Sequence, residues 1–168
     1  MEQGTTTIIK KTTLMHLMDT VGIALFVASL AYLILNWSNL PAKVPTHFGF
    51  KGEIDHYGPK WELFLLPLIT LLVGIALQFL ETHPEWHNSP IEMIDSNMER
   101  IIKQSILMLS FIRNMSFLLI ALVIWETIHI AQGNGAVLEG AIWIILAFII
   151  LLPTIMTLIS SLKDLDMD

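Results

Sequence analysis

Hydrophobic residues along this chain of 168 residues fall into four long runs, and most polar residues lie between those runs. The runs cover residues 15–35, 61–80, a segment that ends at 130, and 137–162. A helix rises about 1.5 Å per residue, so roughly 20 apolar residues cross a hydrocarbon core about 30 Å thick. The pattern therefore predicts an all-α integral membrane protein with four transmembrane helices, folded as a single domain over residues 1–168.

The polar connections between the runs differ in character. Residues 45–60 form a turn-rich loop between spans one and two, and their Pro, Gly and Asp content predicts a shaped cap. Ser89 opens a capping box that starts an amphipathic helix over residues 90–104. No helix breaker precedes Gly133, so this helix can continue directly into span three. Gly133 and Gly135 then predict a tight turn before span four.

Composition supports the membrane assignment and excludes several other classes. Hydrophobic residues make up 54% of the chain and charged residues 14%, whereas a globular protein carries roughly 25% charged residues. The mean hydropathy is +0.67. The absence of cysteine excludes disulfides and thiolate chemistry. The few basic residues are scattered, so nucleic acid is excluded as a partner and the lipid bilayer is the expected surrounding.

The distribution of basic residues predicts the orientation of the spans. One side of the predicted topology carries both termini and the connection between spans two and three, and the other side carries the 45–60 loop. Since basic residues favour the cytoplasmic side, we expect both termini inside and the loop outside. The residues counted are Lys10, Lys11, Arg100, Lys103 and Lys163 on the inner side and Lys43, Lys51 and Lys60 on the outer side.

The amphipathic helix over 90–104 carries acidic rather than basic residues on its polar face. Glu92, Asp95 and Glu99 lie opposite its apolar positions. Helices that rest on anionic lipid usually show lysine and arginine instead. The helix therefore favours contact with a protein partner or a second copy of the chain, with a solvated connector as the alternative.

Two sets of polar residues could carry chemistry on the outer side. Glu126 and His129 are three residues apart near the end of span three, so they share one helical face, close to His47 and Asp55 of the loop. Imidazole and carboxylate groups bind divalent cations such as zinc, and helical bundles use this spacing in metal sites. The alternative is that Glu126 and His129 hydrogen-bond the loop backbone.

A second pair of charged residues lies inside the spans. Asp19 and Arg113 lie at nearly equal depth, roughly 24–26 Å from the outer ends of spans one and three. We predict an intramembrane ion pair between them. It could act as a gate or proton relay, or it could be a structural clasp; alternatively Arg113 extends to the lipid headgroups.

The loop and its flanking spans carry a motif over about residues 20–80. Its positions are Pro45, His47, Phe48, Gly52, Asp55 and Lys60, followed by Leu65, Leu66 and Pro67. This pattern resembles the membrane family called domain of unknown function 1648, the N-terminal module of SdpI-type immunity proteins. Members often have Asn where this chain has Gly49, and SdpI-type proteins carry a further membrane module beyond the four spans predicted here.

The resemblance implies a non-enzymatic protein of the bacterial cytoplasmic membrane, of the peptide-toxin immunity or envelope-sensing receptor type. Relatives of this kind protect a bacterial cell from its own secreted peptide toxin and signal its presence. We expect the outer loop to bind a peptide or envelope ligand through His47, Phe48, Gly52, Asp55, Tyr57 and Lys60. No cofactor is expected on this hypothesis. The alternative is a metal-dependent membrane enzyme or transport component with zinc at His47, Asp55, Glu126 and His129.

Overall fold

The structure, a computed structural model, describes residues 11–49, 51–83, 95–138 and 140–165. Within these residues the protein is mostly helical and contains one small antiparallel β-hairpin. In chain order the elements are α1 (Thr13–Asn36), β1 (Lys43–Phe48), β2 (Ile54–Pro59), α2 (Leu65–Thr82), α3 (Asp95–Ala131) and α4 (Ala141–Leu165). Single 3-10 turns at Trp37–Asn39 and Lys60–Phe64 connect the hairpin to its flanking helices.

Three segments are long and apolar enough to cross a membrane: Thr13–Asn39, Lys60–Thr82 and Arg100–Ala131. In α4 the apolar segment Ala141–Met156 is shorter. Many large hydrophobic side chains on α1, α2 and α4 are exposed at the surface of the bundle, as expected for side chains that face lipid. The chain is therefore a multi-pass membrane protein, and the first three predicted spans are confirmed as long apolar helices.

Helix α3 is the central element of the bundle, because α1, α2, α4 and β1 all pack against it. The buried face of α1 repeats every three or four residues, which is the period of a helix packed along a neighbour. Phe26 of α1 contacts Phe117 of α3 with ring centroids 4.9 Å apart. The buried α1 residues are Met15, Gly22, Phe26, Ser29 and Leu33.

Two glycines allow α1 and α2 to approach α3 closely. A Cβ atom on Gly22 would overlap the side-chain amide of Asn114, and one on Gly74 would lie 2.8 Å from the ring of Phe117. Small residues at such positions are typical of helix packing in membranes, where close backbone approach replaces the hydrophobic driving force. Gly22 and Gly74 therefore determine how near the three helices lie at the level of Phe117.

The amphipathic segment before span three is part of one continuous helix. Helix α3 runs from Asp95 to Ala131 without a break, as the absence of helix breakers predicts. The predicted capping box at Ser89 and the helix start at residue 90 lie outside the described residues. At the other end of α3, Gly133 has φ +90 and its N–H donates to Ile130 O over 2.9 Å. A glycine with positive φ is the usual residue just past a helix end.

The 45–60 loop is a β-hairpin, which corrects the all-α prediction. Strands β1 and β2 pair antiparallel, with Val44 opposite Gly58 and Phe48 opposite Ile54. Gly52 has φ +81 in the turn that joins them. In a hairpin of two strands each strand has a free edge, where Pro45 is tolerated although it cannot donate a hydrogen bond.

The hairpin base belongs to the hydrophobic core. Val44 is fully buried and lies in one cluster with Leu33 of α1, Leu63 before α2 and Ile128 of α3. The same cluster extends along α3 to Phe117. The hairpin is therefore packed onto one end of the helical bundle, which we call the hairpin end.

Replacing Gly22 with Leu should destabilise the bundle, because the new side chain overlaps Asn114 where α1 meets α3. Overpacking of this kind costs about 1–3 kcal/mol. The measurement is the free energy of unfolding of the detergent-solubilised protein in increasing dodecyl sulfate. Ala24→Leu on the exposed face of α1 is the matched control and should change that energy by less than about 0.5 kcal/mol. Equal stability of the two variants would contradict close α1–α3 packing at Gly22.

Candidate functional site

Lys60 fixes the base of the hairpin to the end of α1. Its Nζ donates to Trp37 O over 2.9 Å and to Leu40 O over 3.4 Å, and lies 4.7 Å from the centre of the Trp37 ring. The Lys60 backbone N–H also donates to Ala42 O. Lys60, one of the predicted ligand residues, therefore serves as an anchor of the hairpin in this structure.

The other predicted loop residues differ in exposure and in whether they line a cavity. His47 Nδ1 and Asp55 Oδ2 are 3.1 Å apart, and both side chains are largely exposed. Tyr57 is also exposed. His47, Phe48 and Gly52 line a cavity beneath the hairpin, whereas Asp55 and Tyr57 do not line it.

The cavity has a volume of about 470 Å³ and lies at the hairpin end of the bundle. Its walls come from β1, the start of α2, α3 and the start of α4, and most of the lining side chains are apolar, among them Leu65, Ile120 and Ile142. Ligand pockets in proteins typically measure about 300–1,000 Å³ and have apolar walls with a few polar groups. Size and lining therefore fit a site for a small apolar group.

Glu126 supplies a buried carboxyl group to the cavity wall. It is only 2% exposed. Its Oε1 accepts the backbone N–H groups of Val137 and Leu138 over 2.7 and 3.0 Å. Its Oε2 is buried and has no hydrogen-bond partner among the described residues. One oxygen thus holds the turn before α4, and the other is an unpaired acceptor on a side chain that lines the cavity.

The four residues predicted to bind zinc do not assemble as a metal site in this structure. His47 and Asp55 contact each other, but Glu126 is engaged by the backbone of the turn, and the His129 ring stacks on Trp125. Within 11–49, 51–83, 95–138 and 140–165, no group of three His, Asp or Glu side chains is arranged to hold a metal ion. The backbone groups that donate to Glu126 belong to the turn before α4 and not to the 45–60 loop.

The tip of the hairpin contacts α4. Trp143 Nε1 donates to Gly49 O over 3.0 Å, and Trp143 also lines the cavity. The turn itself is closed by two backbone hydrogen bonds, from Gly49 N to Glu53 O and from Gly52 N to Gly49 O. The cavity is therefore bounded by the hairpin tip and the first turn of α4.

A second polar site lies about 25 Å from the hairpin end, between α1, α2 and α3. Asp19 forms an ion pair with Arg113, and the same Asp19 oxygen accepts from Ser110 Oγ over 3.0 Å and from Asn114 Nδ2 over 2.8 Å. Arg113 is 3% exposed. The structure therefore brings together the two residues that the sequence placed at equal depth.

Two further charges complete this site. Glu81 of α2 is fully buried and lies 2.6 Å from Arg113 Nη1, and it also pairs with Lys11. Lys11 Nζ in turn lies 2.7 Å from Asp19 Oδ2. The Glu81 oxygens lie at ion-pair distance from Lys11 and Arg113 but form no aligned hydrogen bonds with them. Electrostatic attraction therefore holds Glu81 in place. The group, which we call the ionic cluster, contains two cations and two anions.

Sequence reasoning missed Lys11, Gln78 and Glu81 as members of the ionic cluster. Gln78 Oε1 accepts from Arg113 Nη1. Lys11 and Glu81 stand at the ends of predicted spans, where charged residues are ordinarily assigned to the interface. Charge balance could have indicated them. Arg113 neutralises only one of the two carboxylates of Asp19 and Glu81, so a second cation is expected near them.

The arrangement defines a helical multi-pass membrane protein with a β-hairpin closing one end of the bundle. The family model "Domain of unknown function (DUF1648)" matches residues 24–71, which cover most of α1, the hairpin and the start of α2. An uncharacterized protein of Archaeoglobus fulgidus is 30% identical over 139 residues, covering 73% of each chain. The chain therefore belongs to the DUF1648 family, and the resemblance seen in the sequence is confirmed. No solved structure matches it.

Replacing Lys60 with Met should loosen the hairpin base, because two carbonyl groups lose a charged donor. Hydrogen bonds to charged groups contribute about 1.5–3 kcal/mol, so amide hydrogen exchange across β1 and β2 should rise about tenfold or more. Exchange measured by mass spectrometry provides the test. Lys51→Met at the exposed hairpin turn is the control. Unchanged exchange in Lys60→Met would show that Val44 burial alone holds the base.

Replacing Glu81 with Gln should destabilise the bundle strongly, because Lys11 and Arg113 then share a single buried carboxylate. Removing one partner from a buried ion pair costs about 3–5 kcal/mol. Unfolding in dodecyl sulfate, followed by tryptophan fluorescence, measures the loss. Glu53→Gln in the exposed hairpin turn removes the same charge and should leave stability within about 0.5 kcal/mol. A small effect of Glu81→Gln would mean that the ionic cluster contributes little to stability.

Proposed function

We propose that this protein is a non-enzymatic membrane receptor of the peptide-toxin immunity or envelope-sensing type. The ligand's apolar part enters the cavity beneath the hairpin, while its polar part meets the exposed hairpin face. The observation that carries this proposal is the 470 Å³ apolar cavity, whose wall includes His47, Phe48 and Gly52 of the family motif.

The exposed face of the hairpin suits the polar part of a peptide ligand. Asp55, His47 and Tyr57 present a carboxylate, an imidazole and a phenol to the surroundings. Asp55 and Tyr57 lie outside the cavity wall, so the two faces of one hairpin can contact different parts of one ligand. A peptide with apolar and polar side chains matches both faces.

The proposed orientation places the hairpin outside the cytoplasmic membrane and both termini inside, with α4 as a fourth span. The excess of Lys and Arg on the side of the termini supports this orientation. The hairpin is then accessible to a secreted peptide or an envelope component.

A substitution that fills the cavity should abolish protection without unfolding the protein. Val123 lines the cavity on α3, and the adjacent Leu122 does not, so Val123→Phe and Leu122→Phe form a matched pair. In the source organism, a gene deletion should sensitise cells to the peptide fraction of their own culture medium. The wild-type gene and Leu122→Phe should restore growth, whereas Val123→Phe should not.

Two further measurements make this experiment decisive. Protease treatment of the medium should remove its toxicity if the ligand is a peptide, and membrane levels of both variants should match the wild type. Equal protection by Val123→Phe and Leu122→Phe would contradict the role of the cavity. A deletion strain as resistant as the wild type would contradict the immunity function.

A further inference from the structure

We propose that the ligand of the cavity carries a primary ammonium group and that Glu126 Oε2 binds it. The inference rests on the proposed function, because it names the chemistry of the ligand taken by the same cavity. The polar anchor would be one carboxyl oxygen at the wall, and the rest of the ligand would contact apolar side chains.

The geometry of Glu126 is the first observation that supports an ammonium ligand. Oε1 accepts from Val137 N and Leu138 N, so the carboxyl group is fixed in position by the backbone before any ligand arrives. Oε2 is buried without a hydrogen-bond partner in the described part of the chain. A buried acceptor without a donor costs about as much as the desolvation of that group, and a ligand N–H would remove this cost.

The charge of the cavity wall is the second observation, and it concerns the sign of the ligand's charge. Besides Glu126, the wall contains Glu62, and the described lining residues include neither Lys nor Arg. His47 is the remaining titratable side chain at the wall, and it lies 3.1 Å from Asp55. The wall therefore favours a cation over an anion, and a carboxylate binds an ammonium group more strongly than a neutral donor.

The apolar lining of the cavity is the third observation, and it concerns the rest of the ligand. Leu63, Ile124 and Ile142 belong to the wall, so a ligand needs an apolar body next to its charged group. A small hydrophilic cation would lose its hydration without gaining apolar contacts. An amine attached to an apolar body satisfies both requirements, and a peptide with an apolar residue beside its amino terminus or a lysine supplies it.

The test measures binding of two small probes to the full-length protein in phosphatidylcholine nanodiscs. The probes are n-octylamine and n-octanol, which share an apolar chain and differ in the charged group. Equilibrium dialysis against protein-loaded and empty nanodiscs gives each affinity after subtraction of partitioning into lipid. Phosphatidylcholine is suitable because its quaternary ammonium has no N–H to donate to Oε2.

We expect n-octylamine to bind about tenfold more tightly than n-octanol, and Glu126→Gln to reduce this preference to less than about threefold. Glutamine retains a carbonyl oxygen for Val137 N and Leu138 N, so the turn before α4 should remain folded. Affinity for n-octanol should be unchanged in Glu126→Gln. Asp55→Asn removes an exposed charge outside the cavity wall and should keep the full preference for the amine.

The outcomes separate this inference from the proposed function. If both probes bind equally and Val123→Phe blocks both, the cavity takes apolar ligands and the role of Glu126 is refuted. If neither probe binds the wild-type protein, both the inference and the cavity site are refuted. Equal loss of preference in Asp55→Asn and Glu126→Gln would assign the effect to general surface charge and overturn the inference.

A second set of nanodiscs identifies the source of the amine. Phosphatidylethanolamine carries a primary ammonium group, as a peptide amino terminus does. If its addition leaves n-octylamine affinity unchanged, a peptide source is supported. If it competes with n-octylamine, the amine belongs to a lipid and the peptide source is contradicted, while the contact with Glu126 stands.

Discussion

The neutralisation of buried charge is the constraint on which this bundle depends. Arg113 is surrounded by apolar helices, and an isolated charge in such surroundings is strongly disfavoured. Asp19 from α1 and Glu81 from α2 must therefore meet it at one depth, and Lys11 balances the second carboxylate. This requirement fixes the rotation and vertical position of α1 and α2 against α3. It also explains why both α1 and α2 pack against α3, the helix that carries Arg113.

The ionic cluster and the cavity lie at opposite ends of the same packed core. Between them, Phe26 and Phe117 pack together, and the core continues through Leu33 and Ile128 to Val44 in the hairpin. Apolar packing of this kind is dense and has low compressibility. The cavity thus rests on a rigid floor, and its shape depends mainly on the hairpin and the first turn of α4.

Much of the helical architecture could be predicted from the sequence, because apolar runs of membrane length have few alternatives. The equal depth of Asp19 and Arg113 followed from the helical rise alone. The hairpin could not be read from the same pattern, because Pro45 and the glycines indicate turns, and the preference of a segment for a strand depends on the surface it packs against. The role of Glu126 was also hidden, since its partners Val137 and Leu138 meet it only after Gly133 has reversed the chain.

The two ends of the hairpin differ in mechanical resistance. Its base combines the burial of Val44 with the charged contacts of Lys60, whereas its tip meets α4 through a neutral hydrogen bond from Trp143 to Gly49 O. Full burial of a side chain such as Val contributes about 1.5–3 kcal/mol, and a neutral hydrogen bond contributes about 0.5–1.5 kcal/mol. The hairpin should therefore yield first at its tip and pivot about its base. The cavity already opens beside the exposed side chains of Leu65, Leu66 and Ile69, so movement of the tip would widen it while the helices and the ionic cluster keep their positions.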